Sequence, residues 1–433
     1  QTTGTLNAAQ YNTGVGLAAL DAITTGDYNV AVGYDGLTEN TTGQANTATG
    51  YQALKANTSG GYNSAFGMHA LAANTTGGWN TAIGQMSLYA NTTGQKNTAN
   101  GTYSLAYNTT GSYNVATGMS ALQANTTGTR NIAIGNKAYD AADTENDNLA
   151  IGYDALGGAI DGGEYNIAIG NYTMDANTTG DRNTATGYSS LTGNTTGSDN
   201  TAYGYASLSN NTTGNFNDAF GFQSLKLNTT GTYNTAMGMW ALAANETGGS
   251  NTASGASSLV DNTTGQLNDA HGVFSLGDNT TGDYNVALGS SSLRFNTTAD
   301  GNTAIGYTAL REANRTADSD GFNTAVGYNA GNTNTNDITT GNKNTLLGAS
   351  TAADAATATN QSVIGYGASG QADNSVTLGN ADVTSVYMAQ DKGATVYAAG
   401  MVVSDAGTIG SASDADAVAI SSGGVVTLSA TTA

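Results

Sequence analysis

The sequence predicts an all-β fold, a β-solenoid (β-roll) of about 20 coils with a 17-residue repeat, followed by a β-rich C-terminal segment. Two observations carry this reading. The first is register: an Asn-x-Ala-x-Gly element begins at Asn29 and returns every 17 residues through Asn148. After one step of 18 to Asn166, the 17-residue spacing resumes through Asn302, and two steps of 21 reach Asn323 and Asn344. A degenerate unit at Asn12 opens the series. The second is composition. Glycine supplies 60 of 433 residues, about twice its usual ~7%, and charged residues make up 10% against a usual ~25%. Proline and cysteine are absent. Glycine-rich disorder lacks an apolar fraction as high as this chain's 38%, and collagen needs a three-residue glycine period that is not here.

The consensus N-T-A-I-G-Y-x-A-L-x-x-N-T-T-G-x-x assigns each part of a coil. Residues 28–33 (Tyr-Asn-Val-Ala-Val-Gly) alternate with period two, as a strand does. Gly33 and its equivalents end the strand where the backbone bends or meets a neighbour closely. A second short segment ends in leucine, and Leu54, Leu71, Leu88, Leu122 and Leu242 are read as core. Asn-Thr-Thr-Gly then returns the chain: asparagine closes Asx turns, and its glycine is read as taking positive φ. Seventeen residues leave no room for a strand–helix–strand unit, and Gly, Asn and Thr disfavour helix. One coil buries too little apolar surface to stand alone, so stability has to come from stacking. Asn74, Asn91, Asn108 and Asn125 should lie one above another and bond along the stack. Residues 1–379 form the predicted rod, with irregular coils near 136–166 and 302–379. Residues 380–433, where Asn-Thr-Thr-Gly disappears, form a cap or assembly segment.

Candidate sites are few. The residue before the leading asparagine is often aromatic (Tyr28, Tyr62, Trp79, Tyr113) but elsewhere is Lys96, Arg130 or Asp199, so it should be partly exposed. Such a stripe serves adhesion or lateral association, or simply covers the rim of a thin core. Asn-x-Thr at Asn40, Asn74, Asn91 and Asn177 matches a glycosylation acceptor as well as a turn. Asp140, Asp143, Glu145 and Asp147 cluster in an irregular coil, either as a calcium site or as a solvated turn. Asp218 and Asp269 take the threonine place in their coils, with His271 close after Asp269. A paired site needs convergence from different segments, and stacking puts the two coils three turns apart. No catalytic set, cofactor site or cysteine-ligated metal is read, and the chain is expected not to be an enzyme. A net charge of −21 opposes nucleic acid and anionic membranes, and no apolar run long enough for a membrane helix occurs.

N-T-A-I-G at residues 80–84 and N-I-A-I-G at 131–135 resemble the head repeats of trimeric autotransporter adhesins. The full unit also resembles repeats of phage tail fibres and bacterial surface fibres. The resemblance spans roughly residues 12–379 and includes a 14-residue step from Gly365 to Gly379. It implies a β-roll, an extracellular or cell-surface setting, and partners that are copies of itself (a homopolymer or a homotrimer) or a cell-surface or glycan receptor. The leading expectation is a secreted structural subunit of a fibre; the alternative is a receptor-binding rod. Assembly is expected head to tail by strand addition. A C-terminal strand around Val418, Ile420, Val425, Val426 and Leu428 would complete the first coil, around Gln1, Thr2, Leu6 and Tyr11.

Overall fold

The computed structural model describes residues 9–314 and 320–386, together with the backbone of three short C-terminal strands. The chain divides into two units, Gln1–Asp382 and Val383–Ala433. The first is a parallel β-solenoid. Its strands run from β1 (Thr13–Val15) to β22 (Val376–Leu378), each three residues long, and each pairs in register with the next in sequence. Twenty-two strands make 21 coils from strand to strand, and no described residue is helical. At ~4.8 Å per strand the sheet extends about 100 Å. Two strands, β21 (Ser362–Ile364) and β22, lie beyond the last Asn-x-Ala-x-Gly unit that the sequence displays.

Strand pairing follows the repeat: Thr81, Ala82 and Ile83 sit opposite Thr98, Ala99 and Asn100. Alternation along the strand sends the middle residue inward. The inward alanines, from Ala31 to Ala325, are buried, and the outward residues on either side are exposed or half-exposed.

The leucine segment is not a second strand. It is a pair of tight turns in which two residues take the left-handed conformation, as Met86 (φ 55°) and Leu88 (φ 49°) do; Lys96 (φ 57°), before the next asparagine, is a third. Non-glycine residues avoid this region at about 1–2 kcal/mol each. Bonds between coils hold them there. Leu88 N–H donates to Ser104 O (3.0 Å), Ala90 N–H to Ala106 O (2.9 Å) and Thr92 N–H to Thr109 O (2.9 Å). Backbone pairing therefore continues around the coil without extended strands.

The two conserved-register glycines also differ from the sequence reading. Positive φ belongs to the strand-end glycine, for example Gly84 at +124° and Gly255 at +147°. The Asn-Thr-Thr-Gly glycine lacks it. Gly94 is needed because a Cβ there would stand 2.3 Å from Asn91 Oδ1 and 2.4 Å from Gly111 O. Coils simply stack too closely at that point for a side chain.

In the second unit, β23 (Thr408–Ser411), β24 (Asp414–Ile420) and β25 (Val426–Leu428) form an antiparallel sheet with β24 central.

Candidate functional site

Inside the solenoid, Leu54, Leu71, Leu88, Leu122 and Leu242 are fully buried. Two asparagine ladders flank them. Strand-start asparagines are linked through Oδ1: Asn46 N–H donates to Asn29 Oδ1 (3.0 Å), and Asn46 Nδ2 donates to Gly60 O (2.9 Å). Turn asparagines bond directly, with Nδ2 of Asn91, Asn108 and Asn125 each 2.7 Å from Oδ1 in the preceding coil. Asn40, Asn74, Asn91 and Asn177 are fully buried, and the Nδ2 of each donates to a carbonyl within its own turn. A glycan attached to any of them would have to displace that packing, so the glycosylation reading of Asn-x-Thr is set aside.

The irregular coil near 136–166 does not gather its acidic residues. Asp147 pairs with Arg130 (2.6 and 2.7 Å), which holds its carboxyl below the usual carboxylate range. Glu145 is buried, and its carboxylate accepts the N–H groups of Asp143 (3.0 Å), Thr144 (3.1 Å) and Gly162 (3.1 Å). Asp143 accepts from the Thr126 hydroxyl. Burial, then Asp154, pushes Asp140 up. Among the described residues, no group of three or more His, Cys, Asp or Glu could hold a metal ion. Tyr139 takes the leucine place here; burial raises its hydroxyl, which accepts from Asn148 Nδ2 (2.6 Å). His271 and Asp269 share one strand and one face: Nε2 lies 2.9 Å from Oδ1. Asp218 stands three coils away.

Outside, the described solenoid carries long aromatic ladders. Tyr153, Tyr172, Tyr188, Tyr205, Phe222 and Trp240 form one run, with ring centroids 5.3–6.2 Å apart. Tyr62 stacks on Trp79 (5.4 Å, 4°) and Phe216 on Tyr233 (4.9 Å, 9°). The rings are half-exposed, but those that lie flat on one another use their faces within the chain and offer mainly edges outward. At two places in the column before asparagine an ion pair replaces the stack, Arg130–Asp147 (2.6 and 2.7 Å) and Arg182–Asp199 (2.7 and 3.0 Å).

One column escaped sequence reasoning. In the regular coils the residue after Asn-Thr-Thr-Gly has a backbone N–H that meets no carbonyl of the neighbouring coil, although in the longer coils Gly321 and Asn342 do find one. In nine coils it donates instead to a short side chain one coil on, such as Gln10 to Asp27 (2.6 Å), Gln95 to Ser112 (3.0 Å) or Ser198 to Asn215 (2.7 Å). The sequence shows this position only as a variable x, although Asp, Asn and Ser recur there. At Gly61 and Gly78 the column has no side chain, and a hollow of about 260 Å³ lies against it.

Of the residues expected at the assembly interface, Gln1, Thr2, Leu6 and Val425 lie outside the described residues. Tyr11 is exposed and stacks on Tyr28 (5.0 Å, 6°). Val418 and Ile420 lie in the central strand β24: Val418 is paired with Ile409 on one side and Leu428 on the other, and Ile420 with Val426. Val426 and Leu428 belong to β25, an edge strand. Within residues 418–428, Val418 and Ala419 thus have strand partners on both sides, whereas β25 is paired on one side among the described residues. No protein-family model matches the chain, and no curated protein matches it. What the fold defines is a repeat protein of the β-solenoid class.

Proposed function

We propose that the chain is a structural subunit of an extracellular fibre, polymerising head to tail through its solenoid ends. One observation carries the reading: among the described residues, the first and last strands of the solenoid's parallel sheet each pair on one side only, and their other sides are complementary. Among the described residues, β1 pairs only with β2 (Val30–Val32) and β22 only with β21. In a parallel sheet the free groups of one edge match those of the other, so a copy of the chain is the natural partner for either end. Such a contact is heterologous and does not close, which makes a filament. The resemblance to adhesin heads and surface-fibre repeats supports an extracellular setting. Lack of cysteine leaves the fold indifferent to an oxidising one. Strand addition by the edge strand β25 to β1 is the assembly step that β24's double pairing leaves available.

Electron microscopy and light scattering of the purified chain test this. Open-ended filaments that lengthen with concentration are expected. Thr13 N–H donates toward β2, to the carbonyl of Asn29 just before it (2.8 Å), so the alternate Gly14 N–H faces the other side, away from β2. Gly14→Pro should therefore yield folded rods that no longer elongate. A monodisperse monomer at every concentration, or a discrete trimer, overturns the fibre. Filaments that survive both Gly14→Pro and deletion of residues 423–433 overturn strand addition.

A further inference from the structure

Assembly leaves unexplained the break in the polar column described above. Between Gln44 and Gln95 the column reads Gln, Gly, Gly, Gln, and the backbone N–H groups of Gln44, Gly61 and Gly78 donate to no described protein group. In nine other coils a side-chain oxygen fills that place, while at Asn215, Thr232 and Gly249 the N–H again has no described acceptor. The stretch from Gln44 to Gly78 differs in having two consecutive glycines and a hollow beside them. Successive coils are ~4.8 Å apart, so the three donors form a row about 10 Å long beside the solenoid axis. They line the 260 Å³ hollow together with Thr42, Ser59, Thr76, Tyr62, Trp79 and Gln95.

We propose that this notch binds a neutral, hydroxyl-rich ligand, a short stretch of uncharged carbohydrate lying along the axis. The three N–H groups demand acceptor oxygens at a regular spacing, which a chain of sugar units supplies. The hydroxyls of Thr42, Ser59 and Thr76 and the Gln95 amide both donate and accept, as recognition of hydroxyl groups requires. None of the lining residues is charged, which favours neither an anion nor a cation. A chain of net charge −21 repels acidic polymers in addition. Tyr62 and Trp79, stacked on each other, close one wall with ring edges, and the Trp79 indole N–H has no described partner. The notch is two coils deep because glycine occurs at this position in two consecutive coils here; at Gly249 it occurs in only one.

The test uses the full chain with maltotriose, cellotriose and tri-N-acetylchitotriose as neutral probes and trigalacturonate as a charged one. Amide spectra should show shifts at Gln44, Gly61 and Gly78 with at least one neutral probe and none with trigalacturonate. The double variant Gly61→Asp/Gly78→Ser refills the column with side chains of the kind used elsewhere. It should weaken binding at least about tenfold without lowering the melting midpoint. Thr76→Val, which removes an exposed hydroxyl that makes no described bond, should weaken binding in a chain whose fold is untouched. The proposal is overturned by the absence of shifts with every neutral probe at millimolar concentration. Binding of trigalacturonate alone, or equal binding by wild type and both variants, also overturns it. None of these outcomes bears on filament formation.

Discussion

Leu122 holds φ at 51° and Tyr113 at 63°, so both side chains are carried by strained backbone, yet they do opposite things. Leu122 is fully buried against its equivalents in neighbouring coils, whereas Tyr113 is 54% exposed beneath Lys96, whose Nζ lies 4.9 Å from the ring centroid. Leu122→Ala should thus lower stability by about 2–5 kcal/mol, as core truncations do. Tyr113→Ser removes an exposed cation–ring contact of about 0.5–1 kcal/mol and the exposed hydrogen bond that Lys96 Nζ donates to the Tyr113 hydroxyl (3.1 Å), both of which face water. Urea unfolding monitored by circular dichroism compares them, and equal losses would refute the inside/outside assignment. At this scale the inward leucines could be read from the sequence because they recur every 17 residues. The left-handed positions could not. Their usual markers are glycine and asparagine, but Tyr113, Lys96, Leu122 and Met86 stand there, held by bonds from the coils above and below.

The asparagine ladder behaves as an element in its own right, because each amide completes its neighbour's. Asn91 donates to Asn74 Oδ1 and Gly94 O and accepts from Asn108 Nδ2, all out of contact with water. Asn91→Ala leaves Asn74 Oδ1 buried and unpaired, while Gly94 O keeps the bond from Asn80 Nδ2 and Asn108 Nδ2 keeps its bond to Gly111 O. It should cost about 1–3 kcal/mol, well above a typical exposed substitution. A thermal midpoint equal to that of an exposed control such as Thr93→Ala would sink the claim. The chain contains its own breaks. Asn125 Oδ1 and Asn296 Oδ1 are buried without a partner, and in each case the next coil carries alanine in the asparagine place, Ala142 or Ala313. The ladder was legible in the sequence because Asn-Thr-Thr-Gly repeats. The unpaired N–H column was not, since a sequence does not reveal which backbone groups the next coil fails to meet. Nor did the clustering of Asp140, Asp143, Glu145 and Asp147 in sequence say that Arg130, Thr126 and backbone N–H groups would draw them apart.

Across the whole solenoid, irregularity is confined to one arc. From leading asparagine to leucine the count stays at eight, as in Asn80 to Leu88, Asn148 to Leu156 and Asn302 to Leu310. The 18- and 21-residue steps add their extra residues between the leucine and the next asparagine, as from Leu156 to Asn166 and from Leu310 to Asn323. That arc is a turn whose length does not alter which way a strand residue points. The strand cannot absorb a change, because a slip of one residue exchanges its two faces. Each coil also bonds only to its neighbours, so the stack should tolerate loss of a whole unit. Excising residues 200–216 joins Asp199 to Asn217 and sets Thr184, Ala185 and Thr186 opposite Asp218, Ala219 and Phe220, the same pattern as the native register. Deleting Ala202 alone instead turns Tyr203 toward the alanine column, an overpacking that costs about 1–3 kcal/mol before any lost hydrogen bonds. Losing seventeen residues should therefore shift the urea midpoint less than losing one. If the seventeen-residue excision proves the more damaging, the coils are not interchangeable units and the solenoid depends on contacts beyond nearest neighbours.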